Sequence, residues 1–266
     1  YILHWGKIWK EMDNFKLLQQ VAAALQYKYK KQQFDLFDSL KEENPNWDAF
    51  KIEHYKHDTI ENRQDSFDGG LTIEIDNNVV DNELCLLYDK QVASHILWGR
   101  CQVLNKPFQD FMQLIFKTDD DKYSYHPGPP KTYERMVEKT VEYQSENAKF
   151  PAAYRICDVL RCSIKCKNLN DVASAFNVLK ENITIVRVKN RFLPSFDSKE
   201  TDGYRDMLIN VLFKDDKTKL SAICEVQFQL EAYLEIKKKQ HKYYKIVRAV
   251  DYKGLLRNYE ARKWDD

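Results

Sequence analysis

The N-terminal part of the chain repeats its apolar residues at helical spacing. From Ile8 to about Lys41 helix-forming residues dominate, and apolar positions such as Phe15 and Leu18 recur every three or four residues. Pro45 ends this pattern, because proline has no N–H with which to continue a helix. The pattern predicts one or two helices at the start of the chain.

The middle of the chain mixes a turn, a short alternating run and a second helical region. Asp68-Gly69-Gly70 is typical of a turn, and the alternating residues 71–75 that follow predict a small strand. Residues 81–117 return to helical spacing, with an expected interruption at Asn105-Lys106-Pro107.

A string of helix breakers follows, His126-Pro127-Gly128-Pro129-Pro130, which we interpret as a domain boundary. We assign residues 1–118 to a mainly helical N-terminal region and residues 119–266 to a second, α+β domain.

Beyond the boundary, helical and strand patterns alternate. The pattern predicts helices 131–147, 170–181 and 230–248, and strands 155–166, 183–190, 204–213 and 219–229. Asn170 is the expected N-cap of its helix, and residues 214–218 read as a hairpin loop that makes the last two strands antiparallel neighbours. The expected fold class is α+β, a mixed sheet flanked by helices and preceded by helices.

Composition excludes several classes of protein. The 266 residues carry a formal net charge of +1, so no global field favours nucleic acid or an acidic membrane. Aromatic residues make up 13% of the chain, unlike disordered proteins. Only seven glycines and seven prolines leave little room for the many tight turns of an all-β sandwich.

The six cysteines sit mostly within apolar runs and lack the paired spacing of a zinc site, so we expect reduced core thiols in a cytoplasmic, reducing compartment. The chain starts at Tyr1 and has no signal peptide and no apolar run near the roughly 18 residues of a membrane span. We therefore expect a soluble piece of a longer protein.

One carboxylate falls in an apolar row. Strand alternation would place Asp158 on the face that also carries Ile156, Leu160, Cys162 and Ile164. A buried carboxylate must be protonated, paired with a cation, or neutralised by a metal ion. An internal salt bridge to an arginine is the structural alternative to a functional site.

A second carboxylate lies on the polar face of the return strand of the hairpin, where Glu225, Gln227 and Gln229 alternate with core residues. A strand at the edge of a sheet, with one face in the core and one in solvent, would show the same alternation and is the structural alternative. Together with Asp158, however, Glu225 offers the two carboxylates with which many phosphoryl and nucleotidyl transferases hold Mg²⁺ on a triphosphate.

Cations follow the breaker string. Lys131, Arg135 and Lys139 recur every four residues and would form one stripe of a helix, suited to phosphates. The alternative is a solvated helix laced with salt bridges, because glutamates are interleaved at positions 134, 138 and 142.

Two further segments are candidates for binding. Gly203 and Tyr204, followed by Arg205, could bring the backbone and an aromatic plate to a nucleotide base, although a Gly-Tyr pair is also a common strand opening. Lys237, Lys238 and Lys239 give the last helix a basic surface that could hold an RNA backbone or simply be solvated.

His54 and His57 have no evident third partner, so we interpret them as part of a surface loop and not as metal ligands.

Four segments occur in an order that resembles the RelA/SpoT-like synthetase domain, a nucleotidyltransferase-type fold, over about residues 127–248. They are Asp158–Arg161, Val186–Phe192, Asp202–Asp206 and Cys224–Gln229, which read DVLR, VRVKNRF, DGYRD and CEVQFQ. The resemblance implies an enzyme that transfers pyrophosphate from ATP to the 3′-hydroxyl of a guanine nucleotide or, in toxin relatives, to the 3′ end of tRNA.

The same resemblance implies roles for individual residues. Asp158 and Glu225 would hold Mg²⁺, with Glu225 helping to deprotonate the attacking hydroxyl; Tyr204 would stack on the acceptor base, and Lys131 and Lys139 would hold ATP phosphates. We include Arg135, Arg205 and Gln227 among the nucleotide-binding candidates.

Three positions depart from the family pattern: Arg135 replaces a serine, Ser163 replaces an arginine and Leu208 replaces a histidine.

The sequence thus favours an ATP- and Mg²⁺-dependent pyrophosphokinase-like transferase acting on a nucleotide or an RNA 3′ end. A catalytically lapsed domain that binds a nucleotide or a protein is the alternative, and nucleotidyl or phosphoryl transfer to a protein is a third hypothesis.

Overall fold

A computed structural model describes residues 2–72, 82–117, 122–146 and 148–248. Their α-helices are α1 (Ile2–Glu43), α2 (Asn82–Tyr88), α3 (Ser94–Ile115), α4 (Tyr133–Ser145), α5 (Leu169–Asn182) and α6 (Glu231–Arg248). Their strands are β1 (Tyr55–Lys56), β2 (Tyr123–Pro127), β3 (Arg161–Cys166), β4 (Thr184–Asn190), β5 (Met207–Lys214) and β6 (Ser221–Leu230). Short 3-10 helices span Asp48–Lys51, Ala152–Arg155 and Ser198–Thr201, and a π-helical turn spans Asp89–Ala93.

The described residues form two compact units. One contains residues 2–45, 197–205 and 232–248, and the other contains the described residues within 46–196 together with 206–231. The boundary that the sequence predicts at residue 118 remains a prediction; the helices α2 and α3 belong to the same unit as the sheet.

The larger unit is built on one mixed sheet with strand order β1-β4-β5-β6-β3-β2. The β3–β6 pair is parallel and the other pairs are antiparallel. The hairpin predicted at residues 214–218 is confirmed, because β5 and β6 pair antiparallel from Lys214 and Ser221 onwards. The predicted α+β class, a mixed sheet flanked by helices, is also confirmed.

One face of the sheet carries the main core. The helix α3 buries a stripe at spacings of three and four residues, made of Leu97, Cys101, Leu104, Phe108 and Met112. The rings of Phe108 and Phe213 meet edge to face at 5.5 Å, which places α3 on the core face of β5. Five cysteines, among them Cys162 and Cys224, are buried free thiols, as expected, and Cys85 is a partly exposed free thiol.

Several predicted boundaries were wrong. The chain is helical through Pro107, and the interruption lies earlier, at the π-helical turn Asp89–Ala93. The N-cap of α5 is Asn168 and not Asn170. The Asn168 side chain accepts a hydrogen bond from the Asp171 backbone N–H, and the Asp171 carboxylate accepts one from the Asn168 backbone N–H, which completes a capping box. The predicted strand 71–75 lies mostly outside the described residues.

The breaker string does not stop regular structure, because His126 and Pro127 end β2. β2 is an edge strand of the sheet. Proline is tolerated there because an N–H on the outer side of an edge strand has no neighbouring strand to which it could donate a hydrogen bond. The first helix runs unbroken from Ile2 to Glu43 and ends just before Pro45, as the pattern predicts.

Candidate functional site

Asp158 lies in an irregular approach segment, residues 156–160, and not on a strand. The prediction of a strand over 155–166 was wrong in its first half, since residues 152–155 form a 3-10 helix and β3 begins only at Arg161. The ladder is shorter because β2 ends at Pro127, opposite Cys162. The approach segment bonds elsewhere: the Lys131 backbone donates to the Val159 carbonyl at 2.9 Å.

The carboxylate of Asp158 is held by two lysines. The Nζ atoms of Lys131 and Lys139 each lie 3.0 Å from Oδ2 of Asp158, whose side chain is 17% exposed. Desolvation raises the pKa of this carboxyl, but the nearby ammonium groups of Lys139 and Lys131 outweigh it and hold the pKa below its usual value. Asp158 is therefore a charged carboxylate paired with lysines, where the structural alternative expected an arginine.

The second oxygen of Asp158 has no partner among the described residues. Oδ1 is buried and accepts no hydrogen bond. Because buried carboxylate oxygens normally accept hydrogen bonds or coordinate cations, an orphaned acceptor beside a second carboxylate fits a divalent cation.

Glu225 lies on β6, next to the end of the approach segment. Its backbone N–H donates to the Leu160 carbonyl at 2.9 Å, and Arg161 is its partner in the parallel pair. Burial raises the pKa of Glu225, and the negative charge of Asp158 raises it further. The two predicted carboxylates are therefore brought within electrostatic reach of each other.

Gln227 and Gln229 form a hydrogen-bonded chain that leads to Glu225. Gln227 Nε2 donates to Glu225 Oε1 at 3.1 Å, and Gln229 Nε2 donates to Gln227 Oε1 at 3.0 Å. Gln227, a predicted nucleotide contact, thus orients one oxygen of Glu225 in this structure.

Glu225 belongs to a polar row across four strands. Arg187, Asn210, Glu225 and Arg161 are successive register partners, and register partners share a face of the sheet. The Nε of Arg187 is buried and has no hydrogen-bond partner among the described residues. Arg187 is not among the site residues that the sequence predicts, although it lies within one of the four matching segments and alternates with buried Val186 and Val188.

Arg135 is not brought to the two carboxylates. Its side chain is 65% exposed and pairs with Glu138 on the same helix. The three-cation stripe is thus broken: Lys131 precedes α4, Lys139 reaches Asp158 from within the helix, and Arg135 belongs to the salt-bridged surface that was the alternative interpretation.

Tyr204 and Arg205 belong to the smaller unit. The Tyr204 ring is 9% exposed, with Lys237 Nζ 4.0 Å from its centroid and the Tyr233 ring edge-on at 6.0 Å. The guanidinium of Arg205 lies 3.4 Å from the centre of the Phe37 ring. In the described structure, the Lys237 ammonium group covers one face of the Tyr204 ring, which the sequence predicts to stack on a nucleotide base.

The three predicted RNA-contacting lysines lie on exposed positions of α6. Lys237 contacts Tyr204, Lys238 pairs with Glu235 at 2.8 Å, and Lys239 is exposed.

The histidines His54 and His57 flank the two-residue strand β1 and have structural partners. His54 Nδ1 accepts from the Asn190 backbone at 3.2 Å, and His57 Nδ1 accepts from the Thr59 and Ile60 backbones at the same distance. No group of three or more His, Cys, Asp or Glu side chains suited to a metal occurs among the residues described.

A two-carboxylate site nevertheless suits Mg²⁺, because that ion is commonly bound by one or two carboxylates together with substrate phosphates and water.

Within the part of the chain that the structure describes, no helix has the length and apolar character needed to cross a bilayer.

Comparison with known proteins gives structural neighbours alone. No protein-family model and no curated protein matches the chain. Among solved structures it is similar to small alarmone synthetase 1 from Bacillus subtilis bound to its product pppGpp, with 16% identity over 68% of this chain and 90% of that one, and a TM-score of 0.40.

It is also similar to small alarmone synthetase 2 from Bacillus subtilis, with 21% identity over 68% and 90% of the two chains and a TM-score of 0.38. For a GTP pyrophosphokinase family protein from Streptococcus pneumoniae the identity is 12%, the coverage 63% and 91%, and the TM-score 0.34.

Proposed function

We propose that this chain is an ATP- and Mg²⁺-dependent pyrophosphokinase-like transferase whose acceptor is a nucleotide or an RNA 3′ end. The observation that carries the proposal is the location of Asp158 and Glu225 on neighbouring hydrogen-bonded segments, with two lysines on the Asp158 carboxylate. The order of the four sequence segments supports the same chemistry.

The lysines have a defined task in this reaction. Lys131 and Lys139 both pair with the same oxygen of Asp158. A triphosphate offers them several charged oxygens at once, so they exchange Asp158 for phosphate when ATP binds. This exchange frees Asp158 to act with Glu225 as a cation ligand, and the bound Mg²⁺ would neutralise charge on the triphosphate.

Glu225 is the candidate general base. Before a cation binds, burial and the charge of Asp158 raise the pKa of its carboxyl, which favours proton uptake by Glu225. Gln227 donates a hydrogen bond to Oε1 of Glu225 and so holds this carboxylate in one orientation. As the hydroxyl oxygen bonds to the β-phosphorus of ATP, its proton passes to Glu225, the α–β bridging bond breaks, and AMP leaves.

A transfer assay tests this function. The protein is incubated with Mg²⁺, ATP labelled in its terminal phosphates, and either guanine nucleotides or tRNA. We expect label in one acceptor and a loss of about 10²–10⁴-fold in Glu225→Gln, the range that a positioned general base contributes. Glu146→Gln is the matched control, because the Glu146 carboxylate forms an exposed ion pair with Arg155. Absence of label with both acceptors, or equal activity of both variants, would reject the proposal.

A catalytically lapsed nucleotide-binding domain is the second candidate. The observation that favours it is that both lysines are already satisfied by Asp158. This hypothesis expects nucleotide affinity that is insensitive to EDTA and to Asp158→Asn, whereas the transferase expects both treatments to weaken ATP binding.

The acceptor class is tested separately. If the acceptor is RNA, Lys238 and Lys239 lie on the exposed surface that would meet its backbone. The double variant Lys238→Ala/Lys239→Ala should then reduce the salt dependence of tRNA binding, with a log–log slope smaller by about 1–2, because each phosphate contact releases counterions. An unchanged slope would leave a nucleotide as the acceptor.

A further inference from the structure

Gln64 is a buried side chain that bonds to both segments carrying the candidate carboxylates. It is 1% exposed. Its Nε2 donates to the carbonyls of Ile156 at 3.1 Å and Ile223 at 2.9 Å, and its Oε1 accepts from the Ile223 N–H at 2.9 Å. Ile156 lies two residues ahead of Asp158 and Ile223 two residues ahead of Glu225, so one amide links the two segments just before their functional side chains.

The backbone of Gln64 is fixed as well. Its N–H donates to the Tyr154 carbonyl and its carbonyl accepts from the Leu71 N–H, both at 2.8 Å. The backbone and the side-chain amide of Gln64 are thereby both engaged in hydrogen bonds, which restricts the side chain to one conformation.

The linkage matters because ordinary strand pairing does not hold the approach segment. Residues 156–160 precede β3, and their backbone hydrogen bond with β6 runs from the Glu225 N–H to the Leu160 carbonyl. Cys157 also packs in a buried apolar cluster with Ile223 of β6. Without Gln64, nothing among the described hydrogen bonds joins Ile156 to β6. The described hydrogen bonds between the approach segment and β6 are then confined to its Leu160 end, and the apolar packing of Cys157 with Ile223 lacks the directionality of a hydrogen bond.

We propose that Gln64 is a positioning residue: it sets the separation of Asp158 and Glu225, and with it the affinity of the site for a divalent cation and a nucleoside triphosphate. This inference rests on the proposed function. It assigns a site role to a residue from outside the stretch that carries the sequence resemblance.

A matched control exists in the same unit. Asn190 is also a fully buried amide, donating to the carbonyls of Ala49 and Ile52 at 2.7 and 2.8 Å and accepting from the Phe192 N–H at 2.9 Å. It bonds to neither carboxylate segment. Replacing it therefore removes a comparable set of buried hydrogen bonds without altering the link between Asp158 and Glu225.

The test compares Gln64→Met and Asn190→Leu in the whole chain. Binding of Mn²⁺ with the non-hydrolysable donor α,β-methylene-ATP is followed by electron paramagnetic resonance, which needs no turnover. We expect both variants to melt at a lower temperature, but only Gln64→Met to bind Mn²⁺ about 10–100-fold more weakly, the cost typical of losing an outer-shell partner of a metal site. Raised Mn²⁺ should restore binding to Gln64→Met.

A second variant covers a failure to fold. Gln64→Asn keeps an amide but is one methylene too short to reach both segments, so it should also weaken Mn²⁺ binding. If neither Gln64 variant folds while Asn190→Leu does, Gln64 is a requirement for folding and the proposal is wrong.

The remaining outcomes distinguish the positioning role of Gln64 from the proposed transferase activity. Equal Mn²⁺ affinity in Gln64→Met, Asn190→Leu and the unaltered protein overturns the positioning role and leaves the transferase intact. Weakened binding in Gln64→Met, with no transfer by the unaltered protein, supports the positioning role and rejects the transferase. No Mn²⁺ binding by the unaltered protein overturns both.

Discussion

The charge of Asp158 depends on the ammonium groups of Lys131 and Lys139, each 3.0 Å from its Oδ2. Removing a partly buried partner leaves the remaining charges without compensation, so Asp158→Asn should cost about 1–3 kcal/mol of unfolding free energy at pH 7.

The pH dependence of this loss follows from the direction of the shift. Desolvation opposes ionisation, but the lysines lower the pKa of Asp158 below its usual 3.8 in the folded protein. As the pH falls, Asp158 is therefore protonated in the unfolded chain before it is protonated in the folded protein. The stability that its ion pairs contribute is present above about pH 4 and is lost as the pH falls through the lower pKa of the folded state. Urea unfolding of the unaltered protein and of Asp158→Asn between pH 7 and pH 3 measures this difference in stability. A difference that grows on acidification would contradict the lysine pairing.

Gly203 occupies a backbone conformation that other residues avoid. Its φ is +85°, and an added Cβ would lie 2.9 Å from Cδ2 of Phe34 on α1. Gly203→Ala should therefore destabilise the protein by about 1–3 kcal/mol, the usual cost of a non-glycine residue held in such a region.

Gly99 provides the opposite case for the same substitution. It lies inside α3, and nothing described lies within 4 Å of the position that an added Cβ would take, so Gly99→Ala should stabilise by about 0.5–1 kcal/mol. Thermal unfolding of the two variants gives the comparison. If the melting temperatures of Gly203→Ala and Gly99→Ala shifted in the same direction, that result would contradict the positive φ of residue 203.

Some of the site could be predicted at the level of single residues, and some could not. The pattern identified Asp158 because a carboxylate in an apolar run is unusual, and Glu225 because it alternates with core residues. The pattern could not foresee which cations would meet Asp158, since Arg135 and Lys139 are both one or two turns from Lys131. Gln64 gave no signal at all, because a lone glutamine in a polar stretch is ordinary until its partners are known.

The N-terminus of α5 shows how a capping residue is chosen. The sequence pattern indicated Asn170, but Asp171 lies three residues after Asn168 and completes with it the reciprocal hydrogen bonds of a capping box. Asn168→Ala should lower the unfolding free energy by about 0.5–2 kcal/mol.

Asn170→Ala is the matched control for this element. The Asn170 side chain is exposed within the first turn, so its replacement should be neutral or slightly stabilising, because alanine has the higher helix propensity. Chemical denaturation of both variants distinguishes them. A larger loss for Asn170→Ala would restore the cap that the sequence pattern first suggested.

Existence of elements was more predictable than their ends. Helical spacing gave α1, α3, α4, α5 and α6, and alternation gave β3 to β6. The start of β3 was missed because strand pattern continues through residues 156–160, whereas strand pairing on the β2 side stops at Pro127. The helix α3 continues through Pro107 because its buried stripe, from Leu97 to Met112, offsets the backbone hydrogen bond that proline removes.

Across the whole molecule, the parallel pairing of β3 with β6 is what gives the two carboxylates a common location. They are 67 residues apart in sequence (158 to 225), and only strand order brings Leu160 and Glu225 into hydrogen-bond contact. Local pattern carries no information on that order, which is why the shared site required the resemblance as well as the pattern.

The shared cation is open to direct observation. Crystals grown with Mn²⁺ and α,β-methylene-ATP should show an anomalous peak within coordination distance, about 2–2.3 Å, of carboxylate oxygens from both Asp158 and Glu225, with Lys131 and Lys139 moved onto phosphate oxygens. A nucleotide bound elsewhere, or a bound nucleotide with both lysines still on Asp158 and no metal between the carboxylates, would contradict the proposed function.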